Sequence, residues 1–172
     1  MELKKIIREV PDYPKEGINF IDITTLLKEP TAFKYVVDQI YDFYKDKGIT
    51  KIVSLESRGF IIGGALAYHL DAGFVPIRKK GKLPAETIAE KYELEYGTDI
   101  IEMHTDALQP DDVVLIHDDL LATGGTAMAA LNLVQKMNVQ KIYFSFIVDL
   151  TFLNTPNKEI LSGYSPQVLV KY

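Results

Sequence analysis

The chain has 172 residues, of which 47% are hydrophobic and 25% are charged, and its formal net charge is −5. This composition is typical of a globular protein and excludes a fibrous or disordered chain. The absence of cysteine excludes disulfides, thiol catalysis and cysteine-ligated metal sites. The acidic balance argues against nucleic-acid binding, and no apolar run approaches the roughly 18 residues of a membrane helix. Because the first residues also lack a signal-peptide pattern, we expect one cytoplasmic domain that binds no membrane.

The predicted elements alternate between helix and strand along the chain. Residues 31–46 place apolar side chains at three- and four-residue spacings, which is typical of an amphipathic helix. A short β-branched strand over Lys51–Leu55 precedes an apolar, helix-like stretch over Gly59–His69. Later strands are predicted at 74–77, 113–117, 142–148 and 168–170, with a helix over about 126–137.

These strands lack polar alternation, which indicates burial on both faces, as in a parallel sheet covered by helices. The order of strands and helices predicts an α/β fold with a doubly wound parallel sheet flanked by helices. In such sheets ligands bind at the carboxyl ends of the strands, so the segments after Leu55, Ile77, His117 and Val148 are the expected location of chemistry.

Two stretches do not fit this alternation. Residues 10–28 carry two prolines and a glycine ahead of the first clear sheet strand, and residues 79–107 form a long polar connection between two core strands. A connection of that length is expected to be a functional lid or to carry its own small structure.

The strongest motif is VVLIHDDLLATGGT at residues 113–126, a buried strand ending in two carboxylates, then a Gly/Thr loop and a helix start. Exposed amides at a helix start bind phosphate, and the glycines permit a tight turn. Asp118 and Asp119 would repel a phosphate but can accept hydrogen bonds from a sugar diol beside it. The order therefore predicts a ribose-phosphate site; the alternative is that the aspartates only cap the helix. The predicted phosphate ligands are Ala122, Thr123, Gly124, Gly125 and Thr126.

This motif resembles the phosphoribosyl-pyrophosphate (PRPP) signature of the type I phosphoribosyltransferases. Four further segments are similar to the adenine branch of that family and occur in the same order: VPDYPKEGI at 10–18, ESRGF at 56–60, PIRKKGKLP at 76–84 and YELEYG at 92–97. The resemblance covers about residues 8 to 150. It implies one domain over 1–172 with the type I phosphoribosyltransferase fold, in which residues 1–30 form a hood over the base and residues 79–107 a lid.

The resemblance also implies an activity. The enzyme would act in purine salvage, transferring the 5-phosphoribosyl group from PRPP to adenine and giving AMP and pyrophosphate. Mg²⁺ would bind through substrate oxygens and water rather than through a protein ligand cluster. The implied catalytic residues are Arg58, Asp118, Asp119 and Glu95, with Glu95 managing a proton at the adenine ring and Tyr96 nearby; Tyr92 is expected to pack.

The resemblance implies that pyrophosphate binds to the segments that follow two predicted strands, 51–55 and 74–77. In the family the first of these loops often contains a non-proline cis peptide, expected here at Ser57–Arg58, and part of the basic cluster after the second strand reaches the neighbouring subunit. A homodimer is therefore implied. The implied pyrophosphate ligands are Ser57, Arg58, Arg78, Lys79 and Lys82.

The sequence departs from the family at two positions. In the hood, Phe20 and Ile21 are the implied contacts to the base, but Ile21 stands where a basic residue is common; it can offer its backbone and an apolar face. A transferase for hypoxanthine, guanine or xanthine therefore remains an alternative, as does a non-catalytic PRPP-sensing regulator. His117 replaces a usual apolar residue and, like His69 and His104, is expected to be a core or rim group bonded to backbone. Residues 151–172 are expected to add only an edge strand.

Overall fold

The computed structural model describes residues 1–93 and 97–172. The chain begins with a 3-10 helix at Leu3–Lys5. The strands are β1 Arg8–Val10, β2 Phe20–Asp22, β3 Lys51–Leu55, β4 Gly73–Lys79, β5 Thr87–Glu93, β6 Thr98–His104, β7 Val113–Leu121, β8 Lys141–Asp149 and β9 Gln167–Lys171. The helices are α1 Thr24–Leu27, α2 Pro30–Tyr44, α3 Gly59–His69, α4 Gly125–Gln135 and α5 Pro156–Ser162.

The main sheet has seven strands in the order β5-β6-β4-β3-β7-β8-β9. The five strands from β4 to β9 in that order pair in parallel, and helices cover both faces. Side chains of α2 and α3 enter the apolar cluster on one face, and those of α4 enter the cluster on the other. The predicted doubly wound parallel sheet is confirmed.

The central strands are apolar on both sides because both of their faces are covered. In β3, Ile52 and Val53 are each fully buried although they belong to opposite clusters. Helix α2 instead buries one stripe, including Val36 and Ile40, as its three- and four-residue spacing predicts. The predicted bounds of β3 and α3 agree with the structure.

Strand β7 is longer than the sequence predicts. Its parallel pairing with β8 continues through Leu120↔Val148 and Leu121↔Asp149, so the strand ends at Leu121 and not at His117. Asp118 and Asp119 accordingly lie inside the strand, near its carboxyl end. The sequence pattern predicts instead that they follow the strand.

The connection 79–107 is not an open loop. Its strands β5 and β6 pair antiparallel, and β6 extends the main sheet by pairing with β4 at Arg78↔Glu102. The sequence pattern does not predict these two strands. In β5, half-buried residues alternate with exposed residues that are mostly charged, so the segment looks polar. Of the two expectations for this connection, a small structure of its own is confirmed. None of the helices among the described residues is long and apolar enough to cross a bilayer.

The first thirty residues form an antiparallel β1–β2 pair followed by α1. Leu3, Ile7 and Leu26 are buried in the same apolar cluster as α2, so this segment packs on the α2 side of the sheet. At the other end of the chain β9 is an edge strand, as predicted, and it is preceded by α5.

Candidate active site

A cavity of about 400 Å³ opens at the carboxyl end of the parallel strands. It receives residues from the ends of β3, β4 and β7 and from the hairpin, which is where an α/β sheet of this kind binds ligands. Its lining residues are Glu56, Ser57, Arg58, Lys79, Tyr92 and the continuous stretch 118–127. All five predicted phosphate ligands therefore face one cavity.

The loop between β7 and α4 has the backbone of an anion cradle. Gly124 caps α4 with a left-handed backbone, φ +82°, which only glycine adopts without strain. A Cβ at this position would lie 3.1 Å from the Cβ of Asn157, because α5 packs directly behind the loop. The Thr155 hydroxyl donates to the Thr123 carbonyl at 2.6 Å. The loop is thus fixed from behind, while its exposed side, the start of a helix, faces the cavity.

Asp118 and Asp119 differ in environment although they are adjacent. Burial, together with the neighbouring charge of Asp119, raises the pKa of Asp118 well above its ordinary value. The Asp119 amide donates to the Asp118 carboxylate at 2.9 Å. Asp119 is only 5% exposed, and its Oδ2 lies 2.8 Å from Nε of Arg58 without the geometry of a hydrogen bond. The pair therefore offers one carboxyl that favours its proton and one that is in ionic contact with Arg58.

Ser57 and Arg58 line the cavity beside this acid pair. The non-proline cis peptide is Glu56–Ser57, so its prediction at Ser57–Arg58 is wrong by one residue. Arg58 already has helical backbone angles, φ −68° and ψ −30°, as the cap of α3.

The basic cluster begins inside β4, because this strand runs to Lys79 and does not end at Ile77 as predicted, and the cluster is organised by Glu56. The Glu56 carboxylate accepts a hydrogen bond from the Lys79 backbone amide at 2.9 Å. It also forms ion pairs with Lys82 Nζ at 2.5 Å and with Arg78 Nε at 3.4 Å. Burial by itself would raise the pKa of Glu56, but the hydrogen bonds from Lys82, Lys79 and Arg78 outweigh it and lower the pKa to about 2. Of the three predicted ligands in this cluster, only Lys79 lines the cavity; Arg78 and Lys82 contact Glu56.

The predicted base contacts lie apart from this cavity. The Phe20 ring is half-buried, 5.3 Å from the guanidinium carbon of Arg58, and in edge contact with Tyr13. Ile21 is 3% exposed and belongs to the apolar core. The expectation that its side chain offers an apolar face to the base is therefore wrong, because the pleat of β2 turns it inward. Glu95 and Tyr96 lie outside the described residues.

Three further contacts were not assigned from the sequence. Tyr92 was expected only to pack, and it does pack against the core, but it also lines the cavity. Glu56 and Thr155 act through partners distant in sequence, so no local pattern indicates them. Among the described residues, no group of three His, Asp or Glu side chains could hold a metal ion.

The histidines lie outside the cavity lining. His117 is fully buried on β7, and neither of its ring nitrogens has a hydrogen bond of ordinary geometry. Burial lowers the pKa of His117 to about 4. Interaction with the Ser145 backbone raises this pKa, but its effect is smaller than that of burial. His104 Nε2 is buried without a hydrogen-bond partner, and the exposed His69 lies 3.8 Å from Asp38. Hydrogen bonds from these rings to the backbone were expected. Neither nitrogen of His117, nor Nε2 of His104, forms one with ordinary geometry.

Comparison with known proteins agrees with this geometry. A model of the phosphoribosyl transferase domain matches residues 22–151. An adenine phosphoribosyltransferase from Bacteroides fragilis is 58% identical over 153 residues, covering 89% of this chain and 86% of the relative. The crystal structure of adenine phosphoribosyltransferase from Rhodothermus marinus superimposes with a TM-score of 0.91 at 48% identity, covering 99% and 96% of the two chains. The APRTase of Giardia lamblia, complexed with 9-deazaadenine, gives 0.91 at 37% identity, covering 98% and 95%. The chain belongs to the adenine phosphoribosyltransferase family.

Proposed function

We propose that this enzyme transfers the 5-phosphoribosyl group of PRPP to adenine, giving AMP and pyrophosphate in purine salvage. The observation that carries the proposal is the placement of the acid pair and the Gly/Thr loop on one cavity at the carboxyl end of the sheet. A diol acceptor beside a phosphate cradle matches a ribose 5-phosphate. The family membership reported above supports the same reaction.

The 5-phosphate is assigned to the loop of residues 122–126. The backbone amides at the start of α4 and the hydroxyls of Thr123 and Thr126 donate to its oxygens. This phosphate does not react, but holding it fixes the ribose relative to the acid pair. The hydroxyls of the ribose diol are assigned to Asp118 and Asp119, which both line the cavity. The Asp119 carboxylate stabilises the positive charge that develops on the ribose ring.

Pyrophosphate is assigned to Ser57, Arg58 and Lys79, which line the same cavity. Arg78 and Lys82 belong to the same assignment and are held close by Glu56. Their cationic groups stabilise the charge of the departing pyrophosphate. Phosphoribosyltransferases generally use Mg²⁺ with PRPP. The carboxyl groups that Asp118 and Asp119 place on the cavity fit a hydrated Mg²⁺ that arrives with substrate oxygens, and no larger ligand cluster occurs among the described residues. When bound, this ion supplies Lewis-acid activation of the leaving group.

The base is assigned to the space between residues 1–30, as a hood, and the hairpin of residues 79–107, as a lid within a single domain. The Phe20 ring reaches the site through its contact with Arg58, and Ile21 contributes only backbone groups. Glu95 is assigned to proton transfer at the adenine ring. A lid that excludes water protects the reactive sugar cation.

A homodimer is part of the proposal, and helix α3 is its contact surface. This helix is apolar on every side, a property of helices that are buried all round. Yet Tyr68 is 90% exposed and Ile61 47% exposed in the single chain, and Phe74 of the adjoining strand is 38% exposed. A second copy that packs on this face would bury it. Because β4 and the basic cluster directly follow α3, such a contact brings the cluster towards the partner.

The test is pyrophosphate release from PRPP in the presence of Mg²⁺ and each purine base in turn. We expect turnover with adenine and less with hypoxanthine, guanine or xanthine. A preference for another base would replace adenine as the substrate, and no turnover with any base would contradict the enzyme. In that case PRPP-dependent binding to DNA would favour the regulator alternative.

A further inference from the structure

A chain of polar contacts runs along one wall of the cavity through two residues of the hairpin. Tyr92 on β5 and Asp99 on β6 lie directly opposite each other in the antiparallel register. The Tyr92 phenol donates to Oδ2 of Asp99 at 3.4 Å, and this carboxylate oxygen lies 3.0 Å from Nζ of Lys79. The chain therefore joins the hairpin to the pyrophosphate end of the cavity.

The same phenol also meets the 5-phosphate loop. Interaction with the Thr126 side chain lowers the pKa of this phenol, although the effect of burial is larger. The Tyr92 ring lies so close to the loop that a Cβ on Gly125 would be 3.6 Å from it. Lys79, Tyr92 and Thr126 all line the cavity. One side chain is thus placed between the two ends at which phosphate groups are assigned.

The protonation states suit this bridging position. Burial raises the pKa of Tyr92, so the phenol keeps its proton near neutral pH. The hydrogen bond from Lys79 lowers the pKa of Asp99, which therefore remains a carboxylate. A neutral phenol donates one hydrogen bond and accepts others. Tyr92 can thus donate to Asp99 while its lone pair faces Thr126.

The hairpin is held in place for this contact by a separate set of bonds. Glu90 of β5 accepts from Asn132 on α4 at 2.9 Å and from Lys136, the residue that caps the end of α4, at 2.6 Å. Since α4 is the helix whose start forms the phosphate loop, Tyr92 and Thr126 are positioned by one rigid unit.

We propose that Tyr92 is a positioning residue for both ends of the PRPP ligand: through Thr126 it orients the group that grips the 5-phosphate, and through Asp99 it orients Lys79 at the pyrophosphate. This inference rests on the proposed function, since it needs a ligand with two separated phosphate groups. It gives the hairpin a role in substrate recognition in addition to covering the site.

The test compares Tyr92→Phe with the parent in separate calorimetric titrations of AMP and of pyrophosphate with Mg²⁺. Loss of the phenol oxygen should weaken each ligand about five-fold, the effect of one hydrogen bond. The KM for PRPP should rise by a similar factor while kcat stays within about two-fold, because the reacting groups are untouched. Tyr164→Phe is the matched control, since its hydroxyl bonds Gln135 away from the cavity, and it should leave both affinities unchanged.

A second variant separates positioning from simple charge. Asp99→Ala removes a negative charge beside Lys79, which by itself would tighten pyrophosphate binding; loss of orientation should instead weaken it about three-fold and leave AMP unaffected. This variant also decides the question if Tyr92→Phe does not fold. Tighter pyrophosphate binding by Asp99→Ala, or parent-like pyrophosphate binding by folded Tyr92→Phe, would overturn the inference alone. A parent enzyme that binds neither AMP nor pyrophosphate would overturn the proposed function together with it.

Discussion

The Nε atom of Arg58 lies 2.8 Å from the Oδ2 atom of Asp119, so the loop after β3 and the acid pair of β7 are in direct ionic contact. Strands β3 and β7 are neighbours in the sheet, which brings the two segments together although 61 positions separate them in sequence. In the proposed function, this contact joins a residue assigned to the pyrophosphate with a residue assigned to the ribose of PRPP.

Replacing Asp119 by Asn should lower kcat by about 100-fold, because an amide cannot stabilise the positive charge on the ribose ring as a carboxylate does. The fold should persist, since the amide has nearly the same size. Steady-state kinetics and the thermal unfolding midpoint measure the two effects. Asp42→Asn, an exposed change on α2, is the control and should match the parent. A kcat for Asp119→Asn within three-fold of the parent would remove this residue from the catalytic assignment.

The backbone of the phosphate loop provides a second prediction. Gly124→Ala forces a side chain into a left-handed conformation, at about 1–2 kcal/mol, and places its Cβ 3.1 Å from that of Asn157. The crowding moves the loop, so AMP affinity should fall by more than about ten-fold. Gly48→Ala is the matched control, because Gly48 has φ +66° and nothing within 4 Å of its Cβ position. Gly48→Ala should lower the free energy of unfolding only by the cost of placing a side chain in the left-handed conformation, and it should leave AMP binding intact. Equal AMP affinities in the two variants would contradict the cradle.

Much of the fold could be predicted because its signals are local. The strand Lys51–Leu55, the helix Gly59–His69 and the Gly/Thr loop are each defined by a few neighbouring residues. Fully buried strands are apolar without interruption, and an acid pair followed by glycines keeps its order whatever surrounds it. The location of the cavity then follows from the topology of an α/β sheet.

The rest could not be predicted, because it depends on contacts between distant residues. Glu56 acts through Lys82, 26 positions away, and Thr155 supports Thr123 from a helix 32 positions further along the chain. The orientation of Ile21 failed for a different reason: a three-residue strand is too short for alternation to decide which side chain faces the core.

The exposed apolar face of α3 gives a prediction about assembly. Tyr68→Glu places a charge at the centre of the proposed dimer contact, which would have to be desolvated on association. Light scattering after size exclusion should give the mass of a dimer for the parent and of a monomer for this variant. Phe152→Glu is the control, because Phe152 is 68% exposed on the C-terminal segment and should not affect the dimer. A dimeric Tyr68→Glu would place the contact elsewhere.

The buried His117 ring predicts how stability depends on pH. Burial lowers its pKa from 6.5 to about 4, so the folded ring stays neutral where the unfolded ring takes up a proton. The unfolded state therefore binds more protons between these two values, and stability must fall as pH drops from about 6.5 to about 4. Replacement by leucine removes this contribution. Between pH 7 and pH 4.5 the free energy of unfolding in urea should decrease by about 2 kcal/mol more for the parent than for His117→Leu. Equal decreases would mean that the ring is already protonated in the folded protein or is reached by water.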